Sequence, residues 1–350
     1  MKTRVIKITD PKSQSFDIKE AAQLIVDGEV VAFPTETVYG LGANALDSGA
    51  VQKIFEVKGR PGDNPLIVHI SDISQWHDLV DGIPGDALLL AEQFWPGPLT
   101  IILKKSDRVP MEVTAGLNTV GVRMPAHPVA RELINQAGVP IAAPSANRSG
   151  RPSPTTALHV LDDMDGRIPV ILDGGKADVG VESTVLDMTG EIPVILRPGG
   201  ITPEMIEEAL GHVRIDPHVM SPLDGNKKVR SPGMKYIHYA PKAPVILVRG
   251  DLDKLISYIN EETQRQINAG KRVGILATDQ TIKSYGQGER LTMGDRHKPR
   301  ELAANLFGRL REFDELDVDI ILAEAVEEKG EGLAVMNRMA RAAGFHIVDL

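Results

Sequence analysis

Cysteine is absent from the 350-residue chain, which excludes disulfides, thiol nucleophiles and cysteine-ligated zinc or iron–sulfur centres, and fits a reducing compartment. Aromatic residues are scarce. Seven Phe, five Tyr and two Trp are too few to suggest the stacking platforms that hold single-stranded nucleic acid. Positive charge is in deficit, with 39 Lys and Arg against 48 Asp and Glu and a formal net charge of −9. Strong direct nucleic-acid binding is therefore not expected, and any anion site must be local. No uncharged apolar run approaches the ~18 residues that a membrane helix needs. The opening Met1-Lys2-Thr3-Arg4-Val5-Ile6-Lys7-Ile8 alternates charged and apolar residues like a strand and lacks the apolar core of a signal peptide, so a cytoplasmic chain with no membrane partner is expected. The patterns G-x-x-x-x-G-K-[ST], G-x-S-x-G and H-E-x-x-H do not occur, which removes Walker-type NTPases, the hydrolase elbow and zincins. The nine His show no metal-ligand spacing, and no resident metal site is expected.

What is present is punctuation. The 33 Gly and 24 Pro are too many for long bundles or coiled coils, while 42% hydrophobic content is too much for disorder, which leaves a loop-rich α/β or α+β protein. At a prior of roughly 150 residues per domain the length implies about two. Eight short apolar runs read as strands: 30–33, 66–68, 99–103, 120–122, 141–143, 170–172, 184–186 and 194–196. Residues 21–26, 50–55, 86–94, 128–137 and 203–210 have helical spacing, so a large mixed sheet with flanking helices is predicted over 1–211. Pro217, Pro222, Pro232, Pro241 and Pro244 mark a linker over 212–243. Beyond it, strands at 245–248, 273–277 and 320–323 alternate with helices that start at 252 and 299, predicting a small open α/β domain over 244–350. That domain carries no G-x-G-x-x-G after its first strand.

The densest chemical cluster is Lys58-Gly59-Arg60-Pro61-Gly62-Asp63-Asn64-Pro65, two cations on a broken turn just before a strand. Alone it reads equally as a solvated basic turn. Arg123 and Arg197 each follow a strand, where α/β folds gather ligands, although each is also a plausible structural partner for surplus carboxylates. Pro144 to Gly150 and Val181-Glu182-Ser183-Thr184 combine short polar side chains that suit either anion binding or ordinary turns. Thr35 to Gly42 reads as a bend carrying two threonines, an acid and paired glycines. His69, ending a strand behind the Lys58 loop, is the histidine singled out from the nine.

Taken together, FPTETVYGLGANA at 33–45, KIFEVKGRPGDNPLIVHI at 53–70, FWPGPLT at 94–100, VGVRMPAHP at 120–128, PIAAPSANRSGRPSPT at 140–155, GGKADVGVESTVLD at 174–187 and ILRPGGIT at 195–202 resemble the YrdC-type threonylcarbamoyl-AMP synthases. SPGMKYIHYAP at 231–241, followed by an α/β domain, resembles the longer two-domain members. The resemblance implies a large mixed twisted sheet and a small Rossmann-like α/β C-terminal domain. It implies conversion of L-threonine, bicarbonate and ATP into threonylcarbamoyl-adenylate and pyrophosphate, with Mg2+ carried by the nucleotide, and a product used by downstream tRNA threonylcarbamoyl-transfer machinery. By motif, Lys58 and Arg60 would be catalytic cations on the ATP phosphates. Asn64, Thr119, Ser145, Asn147, Ser153 and Arg197 would complete the ATP side, and His238 and Tyr239 would close over it. Thr37, His69, Arg123, Ala143 and Ser183 would form the threonine side, Ala143 through its backbone alone. A carbamoyl-adenylate former of the hydrogenase-maturation type would bring cysteine zinc fingers, which this chain lacks. The rival from another class is an RNA-binding or regulatory module that uses the same basic concavity.

Overall fold

The computed structural model describes residues 2–222 and 239–350, which fall into two compact units. The first holds residues 2–149 and 153–219; the second holds 150–152, 220–222 and 239–350.

In the first unit the chain runs β1 (Arg4–Lys7), α1 (Ser15–Val26), β2 (Val31–Phe33), β3 (Gly40–Asn44), α2 (Ser48–Lys58) and β4 (Ile67–His69). It continues through α3 (Ser74–Leu79), α4 (Gly85–Phe94), β5 (Leu99–Lys104), α5 (Met111–Thr114), β6 (Thr119–Arg123), α6 (Pro128–Ala137) and β7 (Ile141–Ala143). It ends with α7 (Ala157–Met164), β8 (Val170–Asp173), β9 (Thr184–Asp187), β10 (Val194–Arg197), α8 (Pro203–Leu210) and β11 (Arg214–Ile215). These strands form one mixed eleven-stranded sheet in the order β1-β8-β2-β3-β7-β4-β6-β5-β9-β10-β11. The bend predicted at 35–42 is half a strand: Gly40 to Gly42 pair antiparallel with Val31 to Phe33, a run too rich in glycine for composition to mark as β.

Alternation along each strand divides the sheet into two faces. Val68, Leu99, Ile101, Leu103, Val120, Val122, Leu186 and Ile195 point into a large core shared with α2, α3, α4, α7 and α8. On the opposite face, α1 and α6 cover Val31, Phe33, Ile141, Ala143, Val170 and Leu172. Farther across that face, β4, β5, β9 and β10 present Ile67, Ile102, Val185 and Leu196 with Val194 packed against them, a small cluster to which no helix contributes among the described residues. This stretch is open only in lacking a helix among the described residues, since its apolar side chains are buried, and it forms the floor of the site described below.

The second unit contains β12 (Val245–Arg249), α9 (Leu252–Asn268), β13 (Val273–Ala277), β14 (Glu289–Thr292), α10 (Pro299–Glu315), β15 (Ile320–Glu324), α11 (Glu331–Ala342) and β16 (Ile347–Asp349). Its five strands are all parallel, in the order β14-β13-β15-β12-β16. The predicted strand–helix alternation is present, and α11, β14 and β16 are additions. Helix α11 is buried from Gly332 to Ala342 even though it carries Asn337, Arg338 and Arg341, so its polar positions do not mark a solvent face. Among the described residues no helix is long and apolar enough to cross a membrane.

Candidate active site

Strand register gathers the arginines. His69 pairs with Arg123 across the parallel β4–β6 ladder, Thr100 with Val185 across β5–β9, and Val185 with Arg197 across β9–β10. Strict alternation would place Arg197 with Ile195 on the helix-covered face. A register shift between Ile195 and Arg197 sets two β10 residues against one step of β9 and turns Arg197 to the open face. There its Nε donates to the Ser183 carbonyl at 3.0 Å and its Nη2 to Ser183 Oγ at 3.1 Å, while Ser183 Oγ also meets Thr100 Oγ1 at 2.8 Å.

Arg123, at the end of β6, is gripped from three sides. Its Nη2 lies 2.6 Å from Glu36 Oε1, its Nη1 donates to Thr37 Oγ1 at 2.9 Å, and its Nε donates to the Gly97 carbonyl at 3.3 Å. A guanidinium has five N–H groups, so among the described residues one remains on each terminal nitrogen, the pair that a carboxylate takes bidentately. Thr37 is itself set by the turn Thr35 to Val38, in which Thr35 Oγ1 accepts the N–H groups of Thr37 and Val38. His69 is buried beside this group, and burial and the Arg123 charge push its pKa down to about 3. It stays neutral at physiological pH. Ala143, in β7, pairs with Ile67 through its backbone while its methyl group joins the core under α1 and α6.

A second group of residues surrounds the end of α2. Asp47 caps the helix by accepting the N–H groups of Gly49 and Ala50, and Gly59 ends it at φ 62°, a left-handed conformation that glycine adopts without strain. Lys58 is thereby the last helical residue. It is buried, and its ammonium donates to the carbonyls of Ser145 and Asn147, so it clamps the 145–147 loop. Within that loop Ser145 Oγ donates to Asn147 Oδ1, and Asn147 Nδ2 donates to the Arg148 carbonyl at 2.8 Å. Arg60 lies 5.9 Å over the Phe55 ring and donates to the Asn64 carbonyl at 3.1 Å. The Asn64 side chain is fully buried, yet among the described residues neither Nδ2 nor Oδ1 has a partner. Ser153, also fully buried, donates to the buried Glu182 carboxylate.

Three expected residues remain. Thr119 is four residues before Arg123 on β6, about 13 Å away at the usual rise, and lines a cleft with Pro65, Leu66, Thr100, Leu117 and Gly121. Gly121, between them, keeps the floor low, since a Cβ there would stand 3.1 Å from Thr100 Cγ2. Tyr239 belongs to the second unit, where its ring stacks 5.2 Å from Phe307 and Arg338 lies 5.7 Å over it. His238 lies outside the described residues. Three participants were not expected: Glu36, Glu182 and Thr100. The two acids stand inside motifs from which only their hydroxyl neighbours were singled out, and Thr100 is a lone polar residue within the apolar run Leu99 to Leu103. Among the described residues no cluster of three or more His, Cys, Asp or Glu side chains could hold a metal ion.

A curated relative from Pyrococcus abyssi, named Threonylcarbamoyl-AMP synthase, is 51% identical over 348 residues, spanning 99% of this chain and 100% of that protein. The chain belongs to the threonylcarbamoyl-AMP synthase family. A Bacillus subtilis synthase is likewise 51% identical, over 99% of this chain and all of its own. The family model described as "Telomere recombination" matches residues 23–199, and "Threonylcarbamoyl-AMP synthase, C-terminal domain" matches 201–344. Among solved structures, that of Pyrococcus abyssi Sua5 complexed with L-threonine covers 99% of this chain and 100% of its own at 50% identity, with a TM-score of 0.94. The activity of a threonylcarbamoyl-AMP synthase is nucleotidyl transfer with ATP as substrate, so the RNA-binding or regulatory reading is not favoured.

Proposed function

We propose that the open sheet face of the first unit binds L-threonine at the Arg123 end and ATP beside the α2 turn, and joins them through bicarbonate. The threonine amine, having lost a proton, bonds to the bicarbonate carbon, one bicarbonate C–O bond breaks as water leaves, and the carbamate forms. A carbamate oxygen then attacks the α-phosphorus, and pyrophosphate leaves. The observation that carries this reading is the Arg123 cradle, a buried guanidinium held by Glu36, Thr37 and Gly97 with one N–H on each terminal nitrogen left to a carboxylate. Thr37, Ser183 and neutral His69 border it as hydrogen-bonding groups, with Ala143 supplying backbone.

On the nucleotide side, Arg60, Asn64, Ser145, Asn147, Ser153, Thr119 and Arg197 are assigned to ATP. Lys58 acts there both as a cation and as the clamp that shapes the 145–147 loop. His238 and Tyr239 are assigned to ATP on the motif alone. Charge in phosphoryl transfer gathers on non-bridging oxygens, so prepositioned cations and amide donors supply the catalysis and no nucleophile is required. Mg2+ would enter with the nucleotide as part of the substrate. The product would serve a tRNA-modifying transferase.

Pyrophosphate release by the purified protein tests this reading. With ATP and magnesium, release should require both L-threonine and bicarbonate and should fall sharply with serine or glycine. Release that ignores threonine would sink it.

A further inference from the structure

Arg123 and Glu36 meet as a closed ion pair in the interior. Their side chains are only 4% and 9% exposed, and the nitrogen and oxygen lie 2.6 Å apart. The second Glu36 oxygen accepts the Ala126 N–H at 3.0 Å, so the carboxylate is held at both ends. His69, the titratable neighbour across the β4–β6 ladder, is neutral. The Arg123–Glu36 pair thus sums to zero charge before any ligand arrives, and burial holds the pKa of His127, the other imidazole near Glu36, below its usual value. A cradle built only to attract an anion would leave its guanidinium unbalanced, because a lone buried cation gains most from an anionic ligand. A cradle already neutralised gains little from net negative charge. It accommodates best a ligand that brings one charge of each sign, its carboxylate on the two remaining Arg123 N–H groups and its ammonium in the field of Glu36.

We propose that Glu36 is a specificity-determining residue whose carboxylate makes the Arg123 cradle select a zwitterionic amino acid over a carboxylic acid that lacks the ammonium. The proposal rests on the reading of Arg123 as the carboxylate receptor. It also assigns Glu36 a second task, holding Arg123 at the rim of β6, which any merely structural partner would share. Selectivity between ligands of different charge separates the two tasks.

The test compares L-threonine with 3-hydroxybutyrate, its counterpart without the amino group, by KM for the first and competitive inhibition by the second. In the unaltered protein 3-hydroxybutyrate should bind at least a hundredfold more weakly than threonine. Similar affinities, within threefold, would overturn the proposal whatever any variant does. Glu36→Gln keeps the shape and removes the charge, so it should raise the threonine KM about tenfold while tightening 3-hydroxybutyrate by a comparable factor. Glu36→Asp should retain the preference for threonine, with both ligands weakened alike. Parallel weakening of both ligands by Glu36→Gln would reduce Glu36 to a structural support. Arg123→Lys isolates the underlying reading: if it leaves both ligands unaffected, Arg123 is not the carboxylate receptor, whereas if it weakens both, that reading stands independently of Glu36.

Discussion

A buried amide with nothing to bond is costly, and Asn64 is one: both polar atoms of its side chain are enclosed without a partner among the described residues. Leaving such groups unsatisfied costs about 1–3 kcal/mol. Asn64→Leu, close in volume and without polar atoms, should therefore stabilise the ligand-free protein by about 1–2 kcal/mol while weakening ATP at least tenfold. Thermal melts and nucleotide titration check the two effects together, and a less stable variant with normal ATP binding would remove Asn64 from the site. The sequence marks Asn64, Arg123 and Lys58 as candidates because each stands in a polar cluster beside a strand. It does not show that Lys58 is spent largely on the carbonyls of Ser145 and Asn147, nearly ninety positions away. Nor does it show that Glu36 neutralises Arg123. Both facts depend on which distant groups share a desolvated space, and charge patterns along the chain carry no record of that.

At the scale of elements, helix α2 and strand β10 each deliver a site residue by a different device. In α2 the device is capping, with Asp47 at its start and left-handed Gly59 at its end, so that Lys58 and Arg60 flank a sharp exit. Loss of an N-cap carboxylate costs about 0.5–2 kcal/mol. Asp47→Ala should lower unfolding stability by that amount in a urea titration and leave the threonine KM unchanged, because the cap lies at the far end of the helix from Lys58. A large rise in KM with unchanged stability would contradict the placement. In β10 the device is the register shift that moves Arg197 to the open face. A reader of the run Val194 to Arg197 sees a strand ending in arginine but cannot see the extra residue, because the partner strand defines it. Strand β3 and helix α11 escape for different reasons, the first because its glycines resemble a turn and the second because it buries Asn337, Arg338 and Arg341, residues that a sequence pattern assigns to a surface.

Across the whole molecule, each unit has its own apolar core, that of the first between sheet and helices and that of the second around Val248, Ile275 and Leu322. The two family models also divide the chain near residue 200. Removal of residues 212–350 should leave a fragment that melts cooperatively, since all of the first unit's helices α1–α8 and ten of its eleven strands lie within 2–211 and only the two-residue edge strand β11 is lost, but that turns over more slowly than the full chain. Circular dichroism melts and pyrophosphate release check both halves of the expectation; full activity in the fragment would make the second unit dispensable for turnover. By itself the sequence determined the α/β class and the family, and it nominated the candidate residue types, because hydrophobic period, Gly/Pro punctuation and contiguous motifs are written along one dimension. Only the tertiary structure decided which sheet face stays open, that a bulge turns Arg197 onto it, and that Glu36 cancels the charge of Arg123, because strand register and shared burial join residues whose separation along the chain the sequence pattern does not relate.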